Sequence, residues 1–394
     1  MTPRVLRVAP LLFVSGLTSL VYQVAWTREL RLIFGFSTAA SAAVVAIFLG
    51  GLGLGSWLLG RRADQASRPV VFYGKLELAI AASAAATPGL VWLVRHAYIA
   101  LGGSFALGLP AGTAARLLLS SVVLCVPTVL MGGTLPAATR AVETAEDASR
   151  RHLAILYGAN TLGATVGAAV STFWLLEILG TRATLWLACL VNAAVGLAAL
   201  RIGKAIAVRP EGEGAQAEAA GGHSSPLLRF VLGAALVAGF AFAAMEIVWY
   251  RMLGPLLGGS TYTFGLILAV ALLGIGLGAA AYGHFGRGRQ ATLAAFATTC
   301  GFEALCLAVP YALGDRVALF AALARPMGSF GFLGSVWSWT QVAGVVVLPA
   351  AFVAGIQFPL LVALVGRGSE NVGRHVGAVY AWNTLGAIVG SLCA

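Results

Sequence analysis

The sequence predicts an all-α polytopic membrane protein built of two parallel repeats of about six transmembrane helices, the second ending inside the eleventh helix. Three observations predict it. Of 394 residues, 59% are hydrophobic and only 10% charged, with mean hydropathy +0.91. Soluble domains carry about 25% charged residues, so the remaining solvent for these segments is lipid. Residues 16–55 also recur 223 positions later without a gap: Trp26 falls on Trp249, Arg28 on Arg251, Gly35 on Gly258, Ser37 on Ser260, and Gly51, Gly53 and Gly55 on Gly274, Gly276 and Gly278. The same offset carries His152 onto His375, Tyr157 onto Tyr380, Asn160 to Gly163 onto Asn383 to Gly386, and Gly167 onto Gly390. Such self-similarity marks two copies of one structural unit. Finally, with the N-terminus in the cytoplasm, seventeen of the 25 Lys and Arg residues fall inside and eight outside, as the positive-inside bias requires.

Apolar runs long enough to cross a bilayer, about 20 residues each, cover 8–33, 38–60, 71–94, 112–139, 153–177 and 182–203 in the first half, then 227–252, 261–285, 291–313, 333–365 and 375–394 in the second. The first run follows Arg4 and Arg7 but carries Arg28 and Glu29 in its last turns and no small-residue cleavage site, so it reads as a retained helix rather than a signal peptide. The second is followed by Arg61-Arg62-Ala63-Asp64, which resembles the short charged loop at that place in major facilitator transporters, a resemblance that implies a restraint on helix ends at the cytoplasmic face. Gly51 and Gly55 lie inside the second run at the G-x-x-x-G spacing that lets helices approach closely. A nucleotide-binding reading of that glycine series fails, because no strand precedes it and no helix N-terminus follows. His152 and His375 open the fifth and eleventh runs from the cytoplasmic side.

These runs define residues 1–203 as a first transmembrane repeat, 204–226 as a cytoplasmic linker rich in Gly, Ala, Glu and Pro, and 227–394 as an incomplete second repeat. Projecting the first repeat forward by 223 places a twelfth helix beyond Ala394, so the chain reads as truncated relative to its design. The net charge of +11 serves topology here and does not call for nucleic acid. The expected partner is the lipid bilayer, and the location the inner (cytoplasmic) membrane. The five cysteines lie in apolar segments far from any metal spacing, and no histidine forms a metal-ligand pattern. Neither a cofactor nor a catalytic residue is indicated.

Ionisable residues inside a membrane are costly, which makes them candidates for function. Glu246 in the middle of the seventh helix, Glu77 in the third and Glu303 in the ninth are the candidates, with Gln23 at the position of Glu246 in the first repeat. Trp249 and Tyr250 follow Glu246 at i+3 and i+4 and share its helix face, as Trp26 does with Gln23. A carboxylate beside aromatic rings suits a cation. The alternative is that each Glu locks the bundle, by bonding a neighbouring helix or pairing with Lys75, Arg28 or Arg251. For Arg28 and Arg251 themselves the position at helix ends favours interfacial anchoring.

Taken in order, SGLTSLVYQVAWTREL, GLGLGSWLLGRRAD, YGKLELAIA, PTVLMGGTLPAATR and LYGANTLGATVGA resemble the membrane region of the bacterial fused major-facilitator/spermidine-synthase-like family. That resemblance implies a major-facilitator-like transport module that binds or passes a small, cationic, polyamine-like metabolite between the repeats. It also implies a soluble aminopropyltransferase-like domain as a partner. The alternative it leaves is a membrane anchor for an aminopropyltransferase whose catalytic domain is absent from this chain; nothing in the chain supplies that enzyme's nucleotide-binding glycine loop or acidic catalytic residues.

Overall fold

The computed structural model describes residues 2–34, 38–144, 147, 149–205, 226–259, 261–286, 290–366 and 371–394, without the side chains of 38–43, 104, 109 and 261. The expected linker falls almost wholly outside them, as do Gly35, Ser37, Ser260, Arg209, Arg287, Arg289 and Arg367. Among the described residues eleven helices are long and apolar enough to cross a membrane. In chain order they are α1 (Pro3–Phe34), α2 (Thr38–Gln65), α3 (Pro69–Ala100), α4 (Gly103–Gly132, resumed as Thr134–Val142), α5 (Arg151–Val170, running on through a wide turn, Ser171–Leu175), α6 (Gly180–Ala205), α7 (Pro226–Leu257), α8 (Thr261–Phe285), α9 (Leu293–Leu313), α10 (Phe332–Val365) and α11 (Val372–Cys393).

Local sequence explains several boundaries. Pro69 and Pro226 open α3 and α7 at the position where a missing N–H costs nothing. Thr292 caps α9, its hydroxyl accepting from the Ala295 amide at 3.1 Å. Gly108, with φ 65 and ψ −173, breaks α4 just before Pro110. Helices satisfy their backbone groups internally, which is what lets these apolar segments sit in lipid.

The 223-residue offset is visible in three dimensions. Helix α1 packs on α5 as α7 packs on α11; α2 packs on α4 as α8 packs on α10; and the halves meet through α2 against α11 and α5 against α8. Even single backbone contacts obey the offset. A Cβ on Gly16 would collide with the Asn160 carbonyl, and one on Gly239 with that of Asn383. Gly163 faces Phe13 and Gly386 faces Leu236 in the same way. The glycines therefore serve helix packing, as their spacing predicts.

The core is not distributed evenly. Toward the end bearing Asp64, Arg140 and Arg150, hereafter the basic end, one hydrophobic cluster joins both halves: Val5, Leu12, Leu59, Leu135 and Leu156 of the first with Val231, Phe358, Leu361 and Val376 of the second. Toward the opposite end the core divides. One cluster there is made wholly of first-half residues such as Tyr22, Trp26, Phe34 and Val94. The other belongs to the second half, Trp249, Leu253, Ile267 and Val346 among them, with Phe173 of α5 as the first-half exception among its buried members.

Candidate functional site

At the basic end polar groups bridge the halves. Asp64, at the end of α2, accepts from the backbone amides of Gly373 and Arg374 at 2.8 Å each, so its carboxylate caps the N-terminus of α11. Arg140 of α4 lies 3.6 Å from the same carboxylate. The Arg150 side chain donates to the Gly366 carbonyl at 3.2 Å and meets Glu143 at 3.4 Å, while Arg151 donates to the Gly283 carbonyl at 2.9 Å. Tyr282 donates to the Ser149 carbonyl at 3.1 Å. The charged stretch Arg61 to Asp64, expected as a loop after the second helix, is instead the last turn of α2, which runs to Gln65; from there Asp64 restrains the start of α11 in the other repeat.

Glu143, Asp147 and His152 form a buried group within this network, their ligand-type atoms within 4.8 Å of one another. This revises the expectation that no histidine joins a metal-ligand pattern: the turn before α5 folds back and brings His152 to 3.2 Å from Asp147 and 3.7 Å from Glu143. Protein groups already engage both carboxylates, since Asp147 accepts from the Arg151 and His152 amides and Glu143 faces Arg150. Burial pushes the Glu143 carboxyl up to about 8 against the pull of Arg150, and lowers Arg150 in turn.

Just inside this polar layer Phe358 of α10 stands between Tyr157 of α5 and Tyr380 of α11, with ring centroids at 4.6 Å and 5.8 Å. The two tyrosines are equivalent under the repeat. A single aromatic ring from α10 therefore touches both of these equivalent positions, tilted on Tyr157 and edge-on to Tyr380.

The predicted site residues fall into two groups. Four have partners inside the protein. Glu77 is fully buried among α1, α3 and α6, where Asn192 donates to its carboxylate at 2.8 Å and to its backbone carbonyl at 2.9 Å. Thr18 donates in turn to the Asn192 side-chain oxygen at 2.6 Å. Glu303 accepts from Gln357 of α10 at 2.7 Å. Trp26 is fully buried, stacked on Tyr22 at 5.3 Å and donating to Thr87 at 2.9 Å. Trp249 is 2% exposed and meets Phe242 edge to face.

The other three, Glu246, Tyr250 and Gln23, are half-buried. Among the described residues no side chain hydrogen-bonds or ion-pairs with Glu246. Lys75, Arg28 and Arg251 do not pair with it, and Arg28 instead reaches the Leu176 carbonyl at 3.4 Å. On a 100° per residue wheel Glu246 and Tyr250 share the face of Gly239, which is pressed against α11. That face looks into the bundle rather than at lipid. Tyr250 closes one side of it, edge-on to Phe264 of α8 at 5.8 Å. In α7, which continues to Leu257, Glu246 lies about two-thirds of the way along, nearer the end where the core divides. Asn192, Asp64, Phe358 and Arg150 are not singled out as a set by sequence, because each matters through a partner more than one hundred residues away.

No protein-family model and no curated protein sequence matches the chain. Solved structures do. A bacterial homologue of the iron transporter ferroportin, in an outward-facing state, superposes with TM-score 0.58 at 14% identity, covering 98% of this chain and 91% of that one. The human organic anion transporter MFSD10 (TETRAN) gives 0.58 at 17% identity over 100% and 93%. The major facilitator superfamily proton:xylose symporter XylE gives 0.55 at 13% over 99% and 88%. Likeness at these identities is likeness of fold: this chain is a polytopic helical membrane protein with the major-facilitator arrangement of two parallel repeats.

Proposed function

We propose that this chain carries a small cationic solute across the membrane by alternating access, the halves rocking about the α2–α11 and α5–α8 contacts. Residues 1–203 and 227–394 are the moving repeats and 204–226 the tether between them. The observation that carries the reading is Glu246, an acidic group on an inward face of α7 with no protein partner among the described residues, beside Tyr250 and near the end where the core divides. A buried carboxylate without a counter-charge is costly unless something binds it, and a carboxylate beside an aromatic ring suits an ammonium. Gln23 lies at the equivalent position of the first repeat and supplies an amide that can accept from a second ammonium. The sequence likeness to the spermidine-synthase-like fusions makes a polyamine the first solute to test. The positive charge at the basic end supports a cytoplasmic N-terminus in the inner membrane.

Purified chain in liposomes loaded with spermidine is expected to exchange labelled spermidine, and Glu246→Gln to slow that exchange at least tenfold, the loss of one charge-assisted contact worth about 1.5–3 kcal/mol. Folding of the variant is checked by its melting temperature. Undiminished exchange in a well-folded Glu246→Gln protein removes Glu246 from the binding face.

A further inference from the structure

A second site lies outside the proposed transport path, at the end of the molecule opposite Asp64. There a cavity of about 210 Å³ opens between α1, α3 and α6. Its polar lining consists of Glu29, Arg95 and Arg182, and its apolar walls include Val91, Leu185 and Trp92. Among the described residues neither arginine makes an ion pair or hydrogen bond through its side chain. Arg95 follows Arg68 by 27 residues along α3, about 40 Å of helix, which matches a bilayer with its headgroups. The cavity is therefore at headgroup depth, and Trp92, 57% exposed, occupies the level where tryptophans anchor to the interface.

We propose that this cavity holds the headgroup of an aminophospholipid, its phosphate diester on Arg95 and Arg182 and its ammonium on Glu29. Two planar guanidinium groups facing one cavity fit a phosphate, each able to present paired donors to its oxygens. A carboxylate in the same cavity opposes a second negative charge and accepts from a primary ammonium. The apolar walls continue toward the hydrocarbon and suit the start of an acyl chain. Free phosphate shares the anionic chemistry but has no use for Glu29 or for the walls.

The test is lipid retention by the purified full chain, read by native mass spectrometry after exposure to equal amounts of phosphatidylethanolamine, phosphatidylglycerol and phosphatidylcholine. Wild type is expected to keep phosphatidylethanolamine roughly tenfold better than the other two. The double change Arg95→Gln with Arg182→Gln lowers that retention about tenfold, each cation near the surface contributing a comparable share. Arg95→Lys with Arg182→Lys, which keeps the charge but not the paired donors, gives retention between wild type and the double glutamine variant, and Glu29→Gln shifts the choice to phosphatidylglycerol. All three positions line an open cavity, so folding is expected to survive each change. Equal retention of the three lipids by wild type, or unchanged retention in the double glutamine variant, overturns the site. Displacement of the lipid by millimolar inorganic phosphate alone assigns the cavity to the free ion and overturns the lipid reading.

Discussion

Glu77 and Glu246 carry the same functional group in opposite circumstances. Glu77 has no exposed surface and accepts from Asn192, with Ser15 and Tyr73 also beside its carboxylate. Replacing Asn192 by Ala leaves a buried carboxylate short of a partner, at a cost of about 2–3 kcal/mol. A lowered melting temperature for Asn192→Ala, with solute exchange by the surviving folded fraction intact, is the expected result. Glu77→Gln, which keeps hydrogen-bonding capacity, is expected to melt close to wild type. Glu143 answers a different measurement. Burial holds its carboxyl at about 8 in the folded protein, against about 4.3 in an unfolded chain. Between those values the folded state binds the extra proton, so stability falls as pH rises through that window. His375, half-buried at the start of α11, must charge as the pH falls and gives the opposite slope below about pH 6.5, so the test is the difference: from pH 5 to pH 8 the melting temperature of wild type relative to Glu143→Gln should fall.

Helices α1 and α5, like α7 and α11, come together by close backbone approach at glycines. Gly163 presses on Phe13, and Gly386 on Leu236. Without a hydrophobic drive between helices in lipid, such contacts and the packing they permit supply much of the association energy. Gly163→Val and Gly386→Val are expected to lower the yield of folded protein severely, because the colliding atom in each case is backbone and cannot turn away. Gly233 on α7 has nothing within 4 Å of its missing Cβ. Gly233→Ala is expected to be neutral or to stabilise by up to about 1 kcal/mol through helix propensity, and the contrast is read in thermal melts of the three variants.

The two halves share one core at the basic end; at the other the first half keeps a cluster of its own, and the halves meet there where Phe173 of α5 stacks on Tyr262, which also donates to Glu177 at 3.0 Å. Three layers close the joined end: the Asp64 cap on α11, the Arg150 bond to the Gly366 carbonyl, and Phe358 between Tyr157 and Tyr380. If the halves rock, these contacts break together. In a chain whose five native cysteines are replaced by Ser, Asp64→Asn combined with Phe358→Ala should weaken the closed end and raise the rate at which a cysteine placed at Tyr380 is labelled from the basic side, by an order of magnitude. Labelling no faster than in the single-cysteine parent shows that these groups do not hold that end shut.

The division into spans is legible in the amino-acid sequence, because twenty consecutive apolar residues have one stable solution in lipid and a 223-residue repeat forces both halves into the same one. The packing role of the glycines is legible for the same reason: spacing within a helix determines which residues share a face. The fates of Trp26, Glu77 and Glu246 are not. All three are costly or bulky residues in apolar helices, and their sequence surroundings are alike. What separates them is Thr87, Asn192 and the absence of a comparable partner beside Glu246 among the described residues, each set by how distant helices come to lie together. Which end is closed is likewise a property of the assembled halves. The same helices and the same repeat are compatible with either end joined, so the choice rests on interhelical contacts such as Asp64 with Gly373, which join residues more than three hundred positions apart and leave no trace in the local pattern around either one.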